Sequence, residues 1–100
     1  MPIHLIERQG FIRKVEGADG EWESGYWSLT PSRANQLIGD HIYFHEGQKE
    51  PSFYGGIILS CRVQPDGEYA GRIIFRFRYD PEHRGVRTHG PGWGNEMRIE

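Results

Sequence analysis

Apolar and polar side chains alternate with a period of two over much of this chain, which is the spacing of strands that bury one face. The cleanest alternation predicts a strand over residues 69–79. Its core-facing side chains are expected to be Ile73, Phe75, Phe77 and Tyr79. Its solvent-facing or ligand-facing side chains are expected to be Arg72, Ile74, Arg76 and Arg78. A slip of one residue in register would exchange the two sets.

Shorter runs of the same kind predict further strands, at 3–8, 11–15, 21 to about 27, 41–45, 53–63 and 97–99. In the strand 41–45, the two faces are expected to carry Ile42 and Phe44 on one side and His41, Tyr43 and His45 on the other. In the strand 53–63, the side chains expected to be buried are Ile57, Leu59, Cys61 and Val63. The turn residues Pro65-Asp66-Gly67 predict that 53–63 and 69–79 form a hairpin.

One short helix is predicted over residues 30–38. Thr30 suits the N-cap, Pro31 suits the first helical position, and Gly39 suits the left-handed residue past the end. Its apolar face would consist of Ala34, Leu37 and Ile38. About two and a half turns are not stable alone, so we expect this face to pack on the sheet.

The composition is that of one globular domain covering residues 1–100. Hydrophobic residues make up 36% of the chain, charged residues 26% and aromatic residues 13%. Several short strands and one helix predict a mainly β (α+β) fold, either a small barrel or a sandwich. A closed barrel would also remove the exposed edges of these strands.

The expected location is the cytoplasm, without a membrane partner. No apolar run has the length that a transmembrane helix needs, and no signal peptide is visible. Cys61 is the only cysteine, so the chain forms no internal disulfide, and its thiol is expected to be buried and inert.

The formal net charge of −2 hides an uneven distribution. Between residues 71 and 98, six arginines stand against three acidic residues. The arginine guanidinium is a planar fork that grips phosphate and stacks on bases. This pattern favours a local anion site over a general polyanion binder.

Motifs for catalysis or metal binding are weak. His41 and His45 lie about 13 Å apart along a strand, too far for one ion. The serines lack a Gly-x-Ser-x-Gly context, and the glycine-rich run 90–94 lacks the lysine of a phosphate loop. We therefore expect no catalytic residue, no metal and no cofactor, which argues against an enzyme without excluding one.

Three short motifs stand in order between residues 26 and 63. Tyr26-Trp27 precedes the predicted helix, residues 37–44 read Leu-Ile-Gly-Asp-His-Ile-Tyr-Phe, and residues 52–58 read Ser-Phe-Tyr-Gly-Gly-Ile-Ile. In this order they resemble the PUA-like superfamily, which includes EVE, ASCH and YTH domains. The chain is shorter than most EVE domains, and its Arg-rich hairpin and Gly-Pro-Gly-Trp tail have no counterpart in them.

The resemblance implies a small PUA-like β-barrel with one helix, which binds RNA or DNA. A single base, plain or modified, would lie in an aromatic pocket, while arginines outside the pocket hold the phosphates. The implied pocket residues are Trp27, Ser28, Tyr43, Ser52, Tyr54 and Gly55, and Gly56 would leave further room for the ligand. The implied phosphate-binding residues are Arg72, Arg76 and Arg78.

Two other functions fit the residues. A small protein–protein interaction or accessory module would also be rich in Trp, Tyr and Arg, because these residues dominate interface hot spots. A small enzyme that processes a nucleotide or an amide is the third alternative, although no acid–base pair is evident.

Overall fold

The computed structural model describes residues 1–88, 92–94 and 96–100, and part of the predicted tail 90–94 therefore lies outside the described residues. The described chain forms seven strands, one short α-helix and one 3₁₀ turn. In chain order these are β1 (Ile3–Ile6), β2 (Ile12–Lys14), β3 (Glu21–Trp27), α1 (Pro31–Gln36), β4 (His41–His45), β5 (Ser52–Val63), β6 (Ile73–Tyr79), the 3₁₀ turn Pro81–His83 and β7 (Met97–Ile99).

All seven strands belong to one sheet with the order β2-β3-β6-β5-β4-β1-β7. Neighbours are antiparallel except for β1 and β4, which run parallel. The predicted mainly β fold with one short helix is confirmed. Within the described ranges no ladder joins β2 to β7, so the sheet is not closed into the expected barrel.

The hydrophobic core covers one face of this sheet and includes the apolar side of α1. Its fully buried members are Ile3, Leu5, Ala34, Leu37, Ile42, Phe44, Ile58, Ile73, Phe75 and Phe77. The predicted register of β6 is confirmed, because Phe75 and Phe77 are buried while Arg78 is exposed and Arg76 is half-buried. Ile74 differs from the prediction: it is buried on the opposite face, where its side chain lies over Gly25. Tyr79 is half-buried rather than part of the core.

The predicted burial of β5 is wrong. Among its large apolar side chains Ile58 is the buried one, those at 57, 59 and 61 are half-buried, and Val63 is 42% exposed. A register shift against β6 between Ile58 and Ser60 sets Ile58 rather than Ile57 opposite Phe77, whereas Cys61 and Val63 beyond it pair with Phe75 and Ile73. An extra residue in one strand disrupts the period of two, and no inspection of β5 alone reveals it.

The helix begins as predicted and ends earlier. Thr30 Oγ1 accepts a hydrogen bond from the backbone N–H of Arg33 at 3.1 Å, and Gly39 follows with a φ of 90°. Regular helix stops at Gln36, so Ile38 leaves the apolar face and is 43% exposed. The N–H of Gly39 donates to the carbonyl of Ile58 at 2.8 Å, which ties the end of the helix to β5.

In the part of the chain that the structure describes, α1 is far too short to cross a membrane, and no other helix has that length or apolar character.

A candidate binding cavity beside Trp27

The end of β3 forms one wall of a cavity of about 730 Å³. Trp27 is 5% exposed and its indole N–H donates to Ser24 Oγ at 3.1 Å, so the ring is held firmly against the core. The cavity is lined by Ile6, Arg8, Tyr26, Trp27, Ser28, Gln48, Arg72, Gly94, Glu96 and Met97. Its volume lies in the range of sites for small ligands, so it can accept a nucleobase with part of its sugar.

Three aromatic rings stand beside this cavity. Tyr26 and Tyr69 are stacked, with ring centroids 4.6 Å apart and an angle of 2° between their planes. Phe11 meets both edge-on, with centroid distances of 5.3 Å and 5.7 Å. All three line a smaller cavity of about 150 Å³ that also includes Trp27 and Arg72. Tyr26 was part of the motif quoted above, but Phe11 and Tyr69 join it only through the pairing of distant segments.

Arg72 is the cationic residue best placed for an anionic ligand. It lines both cavities and a third depression beside Ser28. Arg72 is exposed, and its guanidinium has no hydrogen bond or ion pair with any residue that the structure describes. A second cation, Arg8, also lines the larger cavity, and its Nε donates to the carbonyl of Glu46. The cavity thus offers two guanidinium groups, and the exposed carboxylate of Glu96 accompanies them.

The other two predicted phosphate-binding residues are paired with an acid. Arg76 Nε donates to Glu21 Oε1 at 2.7 Å, and Arg78 Nη2 lies 3.7 Å from Glu21 Oε2. The cause is the register of β3 with β6, which sets Glu21 opposite Arg78. Neither of these arginines lines the cavity.

A third ion pair extends this surface of alternating charge. Arg62 donates twice to Glu23, with both distances 3.1 Å. This hydrogen bonding lowers the pKa of the Glu23 carboxyl below its ordinary value. The surface therefore has the character of a cross-strand salt-bridge network, in which exposed pairs contribute little each.

Tyr54 and the two glycines after it lie away from the cavity. Tyr54 stacks on Tyr79 at 4.3 Å and meets Trp22 edge-on, and burial raises the pKa of its hydroxyl. A Cβ at Gly55 would overlap the carbonyl oxygen of Ile42, and one at Gly56 would overlap that of Arg78. The space at these glycines is filled by the protein's own backbone, so the expected room for a ligand is not there.

Tyr43 and Ser52 also have structural partners. Ser52 is buried, and its hydroxyl donates to the carbonyl of His83 at 2.6 Å and accepts from the N–H of Val86 at 2.9 Å. Tyr43 stacks between His4 and His83, with centroid distances of 4.6 Å and 4.7 Å. Burial is the main cause of the raised pKa of Tyr43. Of the predicted site residues, the structure brings Trp27, Ser28 and Arg72 together and leaves the rest elsewhere.

A cluster of histidines occupies the face of the sheet opposite the core; the sequence predicted that His41 and His45 share this face, but not their contacts with His83 and His4. His4 and His45 are buried and hydrogen-bonded, with 2.8 Å between His4 Nδ1 and His45 Nε2. They meet because β1 and β4 pair in parallel, a contact between residues 41 positions apart. Burial is the main cause that lowers the pKa of each.

A second histidine pair lies nearby. His41 Nδ1 is 2.8 Å from His83 Nε2, and burial lowers the pKa of His83. The Nδ1 atom of His83 is buried without a hydrogen bond, and it lies 3.7 Å from Asp80 Oδ2. In the described ranges, no three side chains of the metal-ligating types come together as a metal site.

No family model matches the chain, and no curated protein or solved structure matches it either. Any function assigned to the cavity therefore depends on its geometry and chemistry.

Proposed function

We propose that this chain is a PUA-like nucleic-acid-binding module that holds a single base, plain or modified, in the cavity beside Trp27. The observation that carries the proposal is the open cavity of about 730 Å³ at that residue, which also includes Ser28 and Arg72. The proposal extends to the fold: the seven-stranded sheet and α1 would be the open form of a PUA-like barrel. RNA and DNA are both candidate ligands.

The chemistry of the walls supports a base as the occupant. A base taken out of its stack needs a flat apolar surface, and aromatic side chains supply about 1–3 kcal/mol per stacked base. Half-buried Tyr26 provides such surface, Trp27 supports the wall from the core with only 5% of it exposed, and the hydroxyl of Ser28 can hydrogen-bond to the base edge. Arg72 would bind the adjoining phosphate with its planar fork.

This proposal changes the roles of several predicted residues. Tyr26 joins the pocket. Of the three arginines predicted to bind phosphate, only Arg72 keeps that role. The remaining predicted residues support the fold. Tyr43 and Tyr54 stack on other rings, the Ser52 hydroxyl is hydrogen-bonded in the interior, Gly55 allows a close backbone approach, and Arg76 and Arg78 pair with Glu21.

The first experiment compares Arg72→Ala with Arg78→Ala. Both residues are exposed arginines of the same hairpin, but only Arg72 lines the cavity. Binding of fluorescein-labelled single-stranded and double-stranded RNA and DNA is measured by anisotropy over a range of salt concentrations. We expect Arg72→Ala to weaken binding of every sequence and to reduce the slope of log K against log salt by about one unit. Arg78→Ala should leave the affinity and the slope close to those of the wild type.

A second variant tests the cavity without touching the core. Ser28→Trp places a bulky ring on an exposed residue of the cavity wall, and Ser32→Trp places the same ring on an exposed residue of α1. Only Ser28→Trp should abolish binding. Equal effects of the two Trp variants, or no binding of any oligonucleotide by the wild type at low salt, would overturn the proposal.

The same titrations address the other two functions. Binding to a protein partner through an apolar surface would be nearly independent of salt, in contrast to phosphate binding. The large apolar side chains that are most exposed in the described chain are Met1 before β1, Ile38 after α1 and Val63 at the end of β5. The salt dependence of binding therefore separates the interaction-module alternative from nucleic-acid binding.

A further inference from the structure

A row of three hydrogen bonds links two buried histidines to the end of β7. His45 Nδ1 is 2.8 Å from the carbonyl oxygen of Glu50, and His45 Nε2 is 2.8 Å from His4 Nδ1. The other nitrogen of His4, Nε2, is 2.7 Å from Glu100 Oε1. All four ring nitrogens are thereby used.

The number of protons in this row is fixed by its ends. A backbone carbonyl and a carboxylate both accept hydrogen bonds and neither donates. Three hydrogen bonds between these two acceptors therefore need three protons on the imidazole nitrogens. Two neutral imidazoles carry one N–H each, so they supply two. Whichever tautomers are chosen, one of the three contacts then sets a lone pair against a lone pair.

We propose that His45, His4 and Glu100 form a one-proton site, and that binding of a third proton fastens the end of β7 to β1. With this proton, His4 is an imidazolium that donates to His45 through Nδ1 and to Glu100 through Nε2. Without it, the contact that opens is the one to Glu100, because Glu100 is 38% exposed while both histidines are buried. The carboxylate of Glu100 then turns toward water, with Arg98 of β7 as its remaining partner.

The groups around His4 set the strength of this proton site. Tyr43 stacks on one face of the ring, His83 lies beyond Tyr43 with Asp80 beside it, and Arg98 of β7 lies 3.2 Å from the other oxygen of Glu100. Burial, His45 and Arg98 lower the pKa of His4, whereas the charge and hydrogen bond of Glu100 raise it. Because the contact raises the pKa of His4, linkage requires that protonation strengthens the contact. Docking of Glu100 should therefore tighten as pH falls.

The proton site adjoins the cavity, so this inference rests in part on the proposed function. Trp93 lies edge-on to both His4 and His45, and the next residue, Gly94, lines the cavity. Met97 pairs with Leu5 in the β1–β7 ladder and also lines the cavity. Loss of the third proton should loosen this wall, and ligand binding should weaken as pH rises.

The test uses Glu100→Gln, with Glu100→Ala and Glu68→Gln for comparison. The amide N–H of Gln can donate to a neutral His4, which completes all three hydrogen bonds with the two protons available. The imidazole nitrogens are followed by ¹⁵N NMR from pH 5 to 8 without nucleic acid, together with hydrogen-exchange protection factors of the β7 amides.

In the wild type and in the Glu68→Gln control, we expect β7 protection to fall at least tenfold as His4 loses its proton. In Glu100→Gln the protection should stay constant, and the titration midpoint of His4 should fall by about one pH unit or more, since a neighbouring opposite charge is lost. In Glu100→Ala, protection should be low at every pH. An unchanged His4 midpoint in Glu100→Gln, or wild-type protection that does not follow the titration of His4, would overturn the proton site.

Failure of the proposed function gives a different result. The NMR titration would then proceed as described, but no oligonucleotide would bind at any pH. If the proton site is absent while the function is present, oligonucleotides bind with an affinity that is the same from pH 5.5 to 8 in wild type and Glu100→Gln.

Discussion

At the scale of single residues, glycines in this chain are required for two different reasons. Gly39 has a φ of 90° and open space where a side chain would point, so only its backbone conformation favours glycine. Gly56 has no such conformation, but its missing Cβ is replaced by the carbonyl oxygen of Arg78. Glycine is therefore required at Gly39 by backbone conformation and at Gly56 by lack of space.

Substitution of these two glycines should have different costs. Gly39→Val should lower the free energy of unfolding by about 1 kcal/mol or more, because a Cβ disfavours positive φ. Gly56→Ala should cost more than Gly39→Ala, since β5 and β6 must move apart. Urea unfolding of the purified variants measures both. A neutral Gly39→Val would contradict the assigned end of the helix.

The sequence could predict Gly39 and could not predict the reason for Gly56. A helix stop is a local signal, carried by the residues just before the glycine. The contact of Gly56 joins two strands, and it appears only when their register is known. The same applies to His4 and His45, whose contact depends on the parallel pairing of β1 with β4.

At the scale of elements, the alternation of β6 predicted its faces and that of β5 did not. β6 keeps its period across the core, whereas β5 shifts register between Ile58 and Ser60. The resemblance assigned Trp27 and Tyr54 to one pocket, but only Trp27 lines the cavity. Tyr54 stacks on Tyr79 instead. In the sheet, β6 lies between β3, which carries Trp27, and β5, which carries Tyr54, and sequence order alone does not show this.

The helix offers a prediction at this scale. Thr30→Ala removes the hydroxyl that accepts from the N–H of Arg33, so unfolding should become easier by about 1 kcal/mol. Thr30→Ser keeps an N-cap oxygen and should restore most of that loss. Both variants are compared with the wild type by thermal and urea unfolding. Equal stability of all three proteins would show that the cap does not hold this helix in place.

At the scale of the whole molecule, titration of the histidines should make stability depend on pH. Burial lowers the pKa of His4, His45 and His83 in the folded state below 6.5. The unfolded chain therefore binds more protons just below pH 6.5, and stability should fall as pH falls from 6.5 through the folded-state pKa values. The free energy of unfolding is measured in urea at intervals from pH 7.5 to 5. A rise in stability over that interval would contradict the burial of these rings.

This global effect and the local proton site have opposite signs. Acid should lower the stability of the whole fold, because buried histidines resist protonation. Within the folded state, acid should tighten β7, because Glu100 favours the protonated form of His4. Protection of β7 and global stability are therefore expected to change in opposite directions between pH 7.5 and the onset of unfolding.

The central claim is that a base enters the cavity beside Trp27, and chemical-shift mapping with a short oligonucleotide tests it most directly. A ¹⁵N-labelled sample is titrated at low salt with single-stranded RNA and DNA of mixed sequence. The account predicts that the indole N–H of Trp27 and the amides of Tyr26, Ser28 and Arg72 shift together with one affinity. Shifts confined to the surface of Arg76, Arg78 and Tyr54, or no shifts with any oligonucleotide, would contradict it.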